Sequence, residues 1–224
     1  RHTFTVHCAS LIRQRYRACH HMSVLRGRPR DIALDTAIAN ATEAVLLSHG
    51  YSAVNIDRVA KLAGTTRAAV YRRAKTRGEL VVALLVSRFG IDPASDSGNL
   101  REDLRLIQEL QRDFFADLMV QAALAGVLND LRDDGEIGEV FYARFMEPRR
   151  RSVAAMLARA ADRHEIAPLS QPGVISDLLT GPLLLRAALP PIGPIDDTLV
   201  NATIEAALTA CGAVDRTADR PAVK

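Results

Sequence analysis

The sequence predicts an all-α protein, and three observations predict it. Alanine and leucine, both strong helix formers, dominate the composition. Apolar residues recur at helical spacing in one stretch after another, and glycine, proline and aspartate punctuate the stretches. Alternating β-branched runs, the mark of half-buried strands, are short and isolated.

The elements follow in order. From Asp31 to Ser48, Ile38, Ala41, Val45 and Leu46 fall on one helical face, and Gly50 is placed to end the helix. Asn55 can cap a short helix through Ile56, Val59, Ala60 and Ala63, with Asp57 in its first turn and Gly64 at its end. Thr66 can cap the next helix, from Arg67 to about Arg73. Thr76 can cap a fourth running to Phe89, with Glu79 completing a capping box. Residues 90–98, which include Pro93, read as a loop. Beyond it the periodicity predicts helices over about 99–118, 119–132 and 137–163, the last kinked or broken at Pro148. Two more are expected over about 174–189 and 195–211, joined by a linker containing Pro190, Pro191, Gly193 and Pro194. The expected organisation is a disordered extension and basic arm over 1–30, a helix-turn-helix domain over 31–75, a helical body over 76–212 and a flexible tail over 213–224.

The net charge of +3 is unevenly spread. Residues 1–21 hold four arginines and no acid. Residues 22–90 hold eleven Lys/Arg against five Asp/Glu, and residues 91–224 hold fourteen against twenty-one. A basic front on an acidic remainder suggests a nucleic-acid-binding head on a body with another task; the plain alternative is a chance gradient. Hydrophobic residues at 48% and charged residues at 25% are ordinary for a globular chain, and no apolar run approaches a membrane span. Cys8, Cys19 and Cys211 form neither a C-x-x-C pair nor a zinc-spaced cluster, so no metal, redox motif or cofactor is expected, and a reducing, cytoplasmic setting fits. Residues 1–21 lack the apolar core of a secretory signal. They read as a transit peptide or, preferably, as an extension ahead of a natural start at Met22.

The stretch from Asn55 to Ala74 has the form of a helix-turn-helix: short helix, glycine-containing turn, short basic helix. Ala60, Ala63 and Gly64 are small where the two helices must cross, and Ile56, Val59 and Val70 are candidate buried anchors. The start of the second helix must present hydrogen-bonding groups to a major groove, and Thr65, Thr66, Arg67, Ala68 and Ala69 stand there. Arg72 and Arg73 follow at its end, within reach of phosphates. An ordinary helix pair with surface arginines is the competing reading. Upstream, Arg26-Gly27-Arg28-Pro29-Arg30 alternates charge with residues that keep the chain extended. Such an arm suits the narrow minor groove, while a basic tail giving only nonspecific attraction remains the alternative.

Gly50-Tyr51, the run Asn55-Ile56-Asp57-Arg58-Val59-Ala60-Lys61-Leu62-Ala63-Gly64, the run Thr65-Thr66-Arg67-Ala68-Ala69-Val70-Tyr71-Arg72-Arg73 and the helix start Thr76-Arg77-Gly78-Glu79-Leu80 together resemble the N-terminal domain of the TetR family of transcriptional regulators. That family shows G-Y, then T-x-x-x-I-A-x-x-A-G-V-S-x-x-x-L-Y-x-x-F and S-K-x-x-L at these spacings. The likeness covers about 50 residues and implies a three-helix DNA-binding domain joined by a fourth helix to a body that binds a ligand and dimerises. Asn55 stands for the usual threonine, Thr65 for an apolar turn residue, Ala74 for an aromatic and Lys75 for a frequent proline. The loss of the aromatic leaves less to pack between the recognition and fourth helices. By this resemblance Tyr71 gives its hydroxyl to a DNA phosphate, with a core tyrosine as the alternative, and Arg77 meets a phosphate at the head of the fourth helix.

The run Leu179-Thr180-Gly181-Pro182-Leu183-Leu184-Leu185-Arg186 resembles the C-terminal region of one TetR subfamily. The resemblance implies that the last two long helices pair with their twofold mates. Leu178, Leu179, Leu183, Leu199, Ile204 and Leu208 are the candidates for that interface, or for the core of a monomer. Phe115, Met119, Leu124, Phe141, Phe145 and Met146 are candidates to line a ligand pocket among the middle helices, though each is also suited to plain core. His164 is read as a cap or surface residue. The implied partners are a palindromic operator in double-stranded DNA, a small-molecule effector and a second copy of the chain. Two other classes compete. An enzyme lacks support, since no nucleophile elbow, phosphate loop or zinc-protease motif is present and Asp133, Asp134 and Glu136 cluster at a solvated turn. A helical homodimer that binds small molecules without specific DNA binding leaves the basic head unexplained.

Overall fold

A computed structural model describes residues 31–90 and 96–213. Among these residues the chain is entirely helix and connecting turn. The proposed basic arm with Arg26, Arg28 and Arg30, as well as Cys8, Cys19, Pro93 and the end of the tail, lie outside the described residues.

Among the described residues ten α-helices run in the order α1 Ile32–His49, α2 Ile56–Leu62, α3 Arg67–Tyr71, α4 Arg77–Phe89, α5 Leu100–Ala116, α6 Leu118–Asp133, α7 Gly135–Phe141, α8 Glu147–Asp162, α9 Pro172–Ala188 and α10 Asp197–Ala210. Short side chains start most of them. Asp31, Asn55, Thr66 and Thr76 each accept a hydrogen bond from the backbone N–H three residues on, at 2.9–3.1 Å. Glu79 answers Thr76 by accepting from the Lys75 N–H at 3.0 Å, one residue earlier than in the usual reciprocal box. Gly50 takes φ +79° and closes α1 by donating to the Leu46 carbonyl. His164 takes the left-handed conformation after α8, at φ +58°, so it is the helix stop the sequence suggested.

Three boundaries depart from the periodicity. The helix expected over 99–118 ends at Ala116, because Asp117 caps α6 by accepting from the Met119 N–H at 2.8 Å, and the chain turns through 82° there. The helix expected over 137–163 begins two residues earlier, at Gly135 after the Asp134 cap. It is interrupted at Tyr142–Met146 by a π-helical turn, just ahead of Pro148 in the first turn of α8. A proline cannot donate into the regular ladder, and a π turn absorbs that defect. The last helix starts at Asp197 because Asp196 caps it.

Two apolar cores result. The first joins the N-terminal helices to the body, with Val45, Leu46, Val59, Val70, Leu80 and Val81 packed together with Phe115, Met119, Val127 and Phe145. The second lies between α5, α8, α9 and α10, around Leu104, Met156, Leu179 and Ile204. The N-terminal helices therefore share a continuous core with α6. No single helix among the described residues is long and apolar enough to cross a membrane.

Candidate nucleic-acid interface and effector cavity

The turn between α2 and α3 follows from small residues. Gly64 sits at φ +64°, a conformation that side chains resist, and the Thr65 N–H reaches back to the Ala60 carbonyl at 3.0 Å. Ala60, Val59 and Val70 are buried at the crossing. α3 is thereby held with one side inward and the other outward. The outward side presents Thr66, Arg67, Ala68, Tyr71 and Arg72, with Thr65 half-buried beside them. Tyr71 is 56% exposed, which rules out a core tyrosine. Arg67 leans on Asp57, its Nε 2.6 Å from the carboxylate, and both side chains are open to solvent. Thr66 spends its hydroxyl oxygen on the cap but keeps its O–H to donate.

Three residues expected on this surface, Ala69, Arg73 and Arg77, face elsewhere, and a fourth, Asn55, is occupied. Ala69 is 6% exposed and belongs to the packed side of α3; Ala68 holds the outward position instead. Arg73 turns inward, with Nε paired to Asp35 of α1 and Nη1 donating to the Ala69 carbonyl, so it ties α3 to α1 and does not reach for a phosphate. Asn55 is exposed, but its amide is committed at both ends, to the Arg58 N–H and the Ala53 carbonyl. Arg77 points at the body. Its Nη2 lies 3.5 Å from Asp130 of α6 and its guanidinium stands over the Tyr51 ring at 4.9 Å.

Arg77 is part of a junction that the sequence reading did not detect. The Tyr51 hydroxyl donates to Asp130 at 2.7 Å. Its ring covers Gly126, where an added Cβ would stand 2.1 Å from a ring carbon. Burial, followed by the hydrogen bond and charge of Asp130, pushes the Tyr51 phenol well above its ordinary range, against the opposing pull of Arg77. At the far end of α4, Arg88 pairs with Glu43 of α1 and, at 3.1 Å, with Asp117 at the start of α6. The signal for this junction was one tyrosine, one glycine and one aspartate far apart in sequence, which no local pattern connects.

The body encloses a cavity of about 320 Å³. Of the expected lining residues, Phe115, Leu124, Phe141, Phe145 and Met146 border it. Met119 does not. It is buried in the core shared with the N-terminal helices, in the first turn of α6. The sequence reading missed Phe89, Phe114, Gln111 and Ser176, which also line it. Every phenylalanine among the described residues borders this one space. Gln111 was legible in principle, as a polar residue sharing a helical face with Phe114 and Phe115.

The leucines assigned to a twofold interface divide. Leu179, Leu183, Ile204 and Leu208 are buried within the protomer, which removes them from any outer face, and Leu178 and Leu199 are half-buried. The outer face of α9 instead carries Val174, Asp177, Gly181, Leu185 and Ala188, with Leu189 following at its end, and Leu185 and Leu189 are each 50% exposed.

Comparison with known proteins fits this geometry. Residues 38–84 match the family model described as bacterial regulatory proteins of the tetR family. Residues 94–207 match a tetracycline-repressor-like C-terminal domain. The HTH-type transcriptional regulator Mb1581 of Mycobacterium bovis is 30% identical over 74% of this chain and 81% of its own length. The chain belongs to the TetR family. A DNA-binding transcriptional repressor TetR from Mycobacteroides abscessus is 27% identical over 81% of this chain and 93% of its own. The crystal structure of the TetR family regulator SCO0332 superposes with a TM-score of 0.60 at 22% identity, over 81% of this chain and 98% of that one. As a TetR family member the chain is a DNA-binding transcriptional regulator.

Proposed function

We propose that this regulator is a homodimeric repressor that holds a palindromic operator and leaves it when a small, largely apolar molecule fills the body cavity. One observation carries the reading. Val120, Leu124 and Val127 of α6 line the cavity, while Gly126 and Asp130 of the same helix grip Tyr51 and Arg77 at the N-terminal helices. A ligand that moves α6 therefore changes the seat of the DNA-binding helices. Thr66, Arg67, Ala68 and Thr65 read base edges, and Tyr71 and Arg72 hold phosphates. The half-exposed Leu185 and Leu189 support a self-complementary interface along and just beyond α9, one that would relate two recognition helices by a twofold axis.

Footprinting on DNA upstream of the regulator's own gene tests it. Two symmetry-related half-sites are expected, and Leu185→Glu should give a monomer that no longer protects them. A single asymmetric half-site, or a Leu185→Glu protein that still dimerises, contradicts the dimer arrangement.

A further inference from the structure

The cavity has a chemical character more definite than apolar. Phe89 and Phe114 meet edge to face at 4.8 Å between centroids, and Phe141 stacks on Phe145 at 5.2 Å. Walls of ring edges and ring faces favour ring-shaped guests by the same quadrupole geometry that orders the phenylalanines.

Two polar atoms in that wall are unprovided for. Gln111 Oε1 and Ser176 Oγ are both shut off from solvent and have no hydrogen-bond partner. Ser176 is 7% exposed, so water outside cannot serve it. The charged groups at the rim are engaged. Arg150 pairs with Asp177 and donates to the Gly173 carbonyl. Arg149 donates to the Phe145 and Gly90 carbonyls at 2.9 and 2.8 Å, with its guanidinium 3.7 Å over the Phe145 ring.

Resting on the reading of this cavity as the effector site, we propose that the effector is an uncharged aromatic compound bearing a hydroxyl, its rings among the phenylalanines and its hydroxyl bonded to Gln111 and Ser176. Gln111 Oε1 accepts only, so its partner must donate; Ser176 both donates and accepts. A hydroxyl does both and satisfies the pair. An ether or ester accepts only and leaves Gln111 unpaired. A carboxylate adds a charge facing an oxygen and lies in a cavity whose cations are already occupied. A site built around a hydroxyl discriminates against analogues lacking it, because its own buried groups are then left bare.

Calorimetric titration of the full chain with 4-hydroxybiphenyl, 4-methoxybiphenyl and biphenyl-4-carboxylate tests this. The hydroxyl compound should bind at least about tenfold more tightly than either of the others. Gln111→Leu should bring the hydroxyl-to-methoxy ratio close to one, and Ser176→Ala should reduce it. If Gln111→Leu fails to fold, the ranking on the unaltered protein still decides. Equal or tighter binding of the methoxy compound or the carboxylate, or no binding of any of the three, overturns the proposal. Gel shifts with the same probes separate it from the release reading. A hydroxyl preference without release of DNA upholds the ligand chemistry and sinks the release mechanism. Release by probes showing no preference sinks the chemistry and leaves the mechanism.

Discussion

Arg67, Arg72 and Arg73 lie within seven positions of one another, and only their surroundings set them apart. Arg67 stands at the exposed start of α3, Arg72 at its exposed end, and Arg73 is folded back onto Asp35 and the Ala69 carbonyl. Arg67→Ala should change which base is preferred in a binding-site selection. Arg72→Ala should weaken all sequences alike and lower the salt slope by about one phosphate contact. Arg73→Ala should instead cost about 1 kcal/mol of thermal or urea stability, since it breaks a half-exposed ion pair that joins α3 to α1. A selection in which Arg73→Ala redirects base preference would reverse these assignments. The sequence placed all three on the recognition segment, but it held no information on which way Arg73 or Arg77 would turn, because their partners Asp35 and Asp130 are distant in sequence. Tyr51 shows the same limit and gives a pH test. Its phenol stays protonated in the fold but ionises at about pH 10 once unfolded. The contribution to stability is therefore complete below about pH 10 and is lost as pH rises above it. Urea denaturation at about pH 9 and about pH 11 should show a steeper alkaline loss in the unaltered protein than in Tyr51→Phe. Equal losses would mean that the phenol is not held this way.

Helix beginnings were the most legible elements, because a cap is a local event. Asn55, Thr66 and Thr76 were assigned from their own spacing and each accepts the expected backbone N–H. The stop at Gly50 has the same local origin. The interruptions were legible only to within a few residues: a helix boundary was expected after residue 118 and a kink or break at Pro148, whereas the structure breaks at Asp117 and at Tyr142–Met146. The bend at Asp117 and the π turn at Tyr142–Met146 lie inside amphipathic stretches whose apolar residues keep nearly helical spacing across the break. The element with most consequence is α6, whose two faces carry different work. Leu124 and Val127 turn to the cavity, whereas Gly126 receives the Tyr51 ring. In Gly126→Ala the new methyl would overlap that ring, and α6 and Tyr51 must separate. The expected destabilisation is about 1–3 kcal/mol by overpacking, read as a lowered melting temperature. The DNA-binding helices should also respond less to a cavity ligand. A variant as stable as the original, with ligand response intact, would show that the close approach of Tyr51 to α6 does not matter.

At the scale of the whole molecule, the charge split of the sequence and the continuity of the core make one argument. The basic front and acidic remainder were visible in composition, and the family motif identified the head. What composition could not give was the shared core that runs from Val59 and Val70 through Leu80 to Met119 and Val127, nor which leucines of α9 and α10 face outward. Both depend on how distant helices meet. With a continuous core between the DNA-binding helices and the cavity, the proposed effector and DNA would compete through one structure. An effector can weaken DNA binding only by binding the DNA-incompetent arrangement more tightly, and DNA must then weaken the effector by the same factor. A coupling of about 1–3 kcal/mol corresponds to about a 5–150-fold change in either affinity. Calorimetry of an effector with free protein and with operator-bound protein measures it directly. Tyr51→Phe should keep the effector affinity of the free protein, because Tyr51 lies outside the cavity wall, and should shrink the difference between the two titrations, because its hydrogen bond to Asp130 is the link that reads α6. Equal effector affinities in the two titrations of the unaltered protein would remove the allosteric mechanism altogether. An undiminished difference in Tyr51→Phe would keep the mechanism but route it through another part of the shared core, with the Arg88 pairs to Glu43 and Asp117 as the next contact to break.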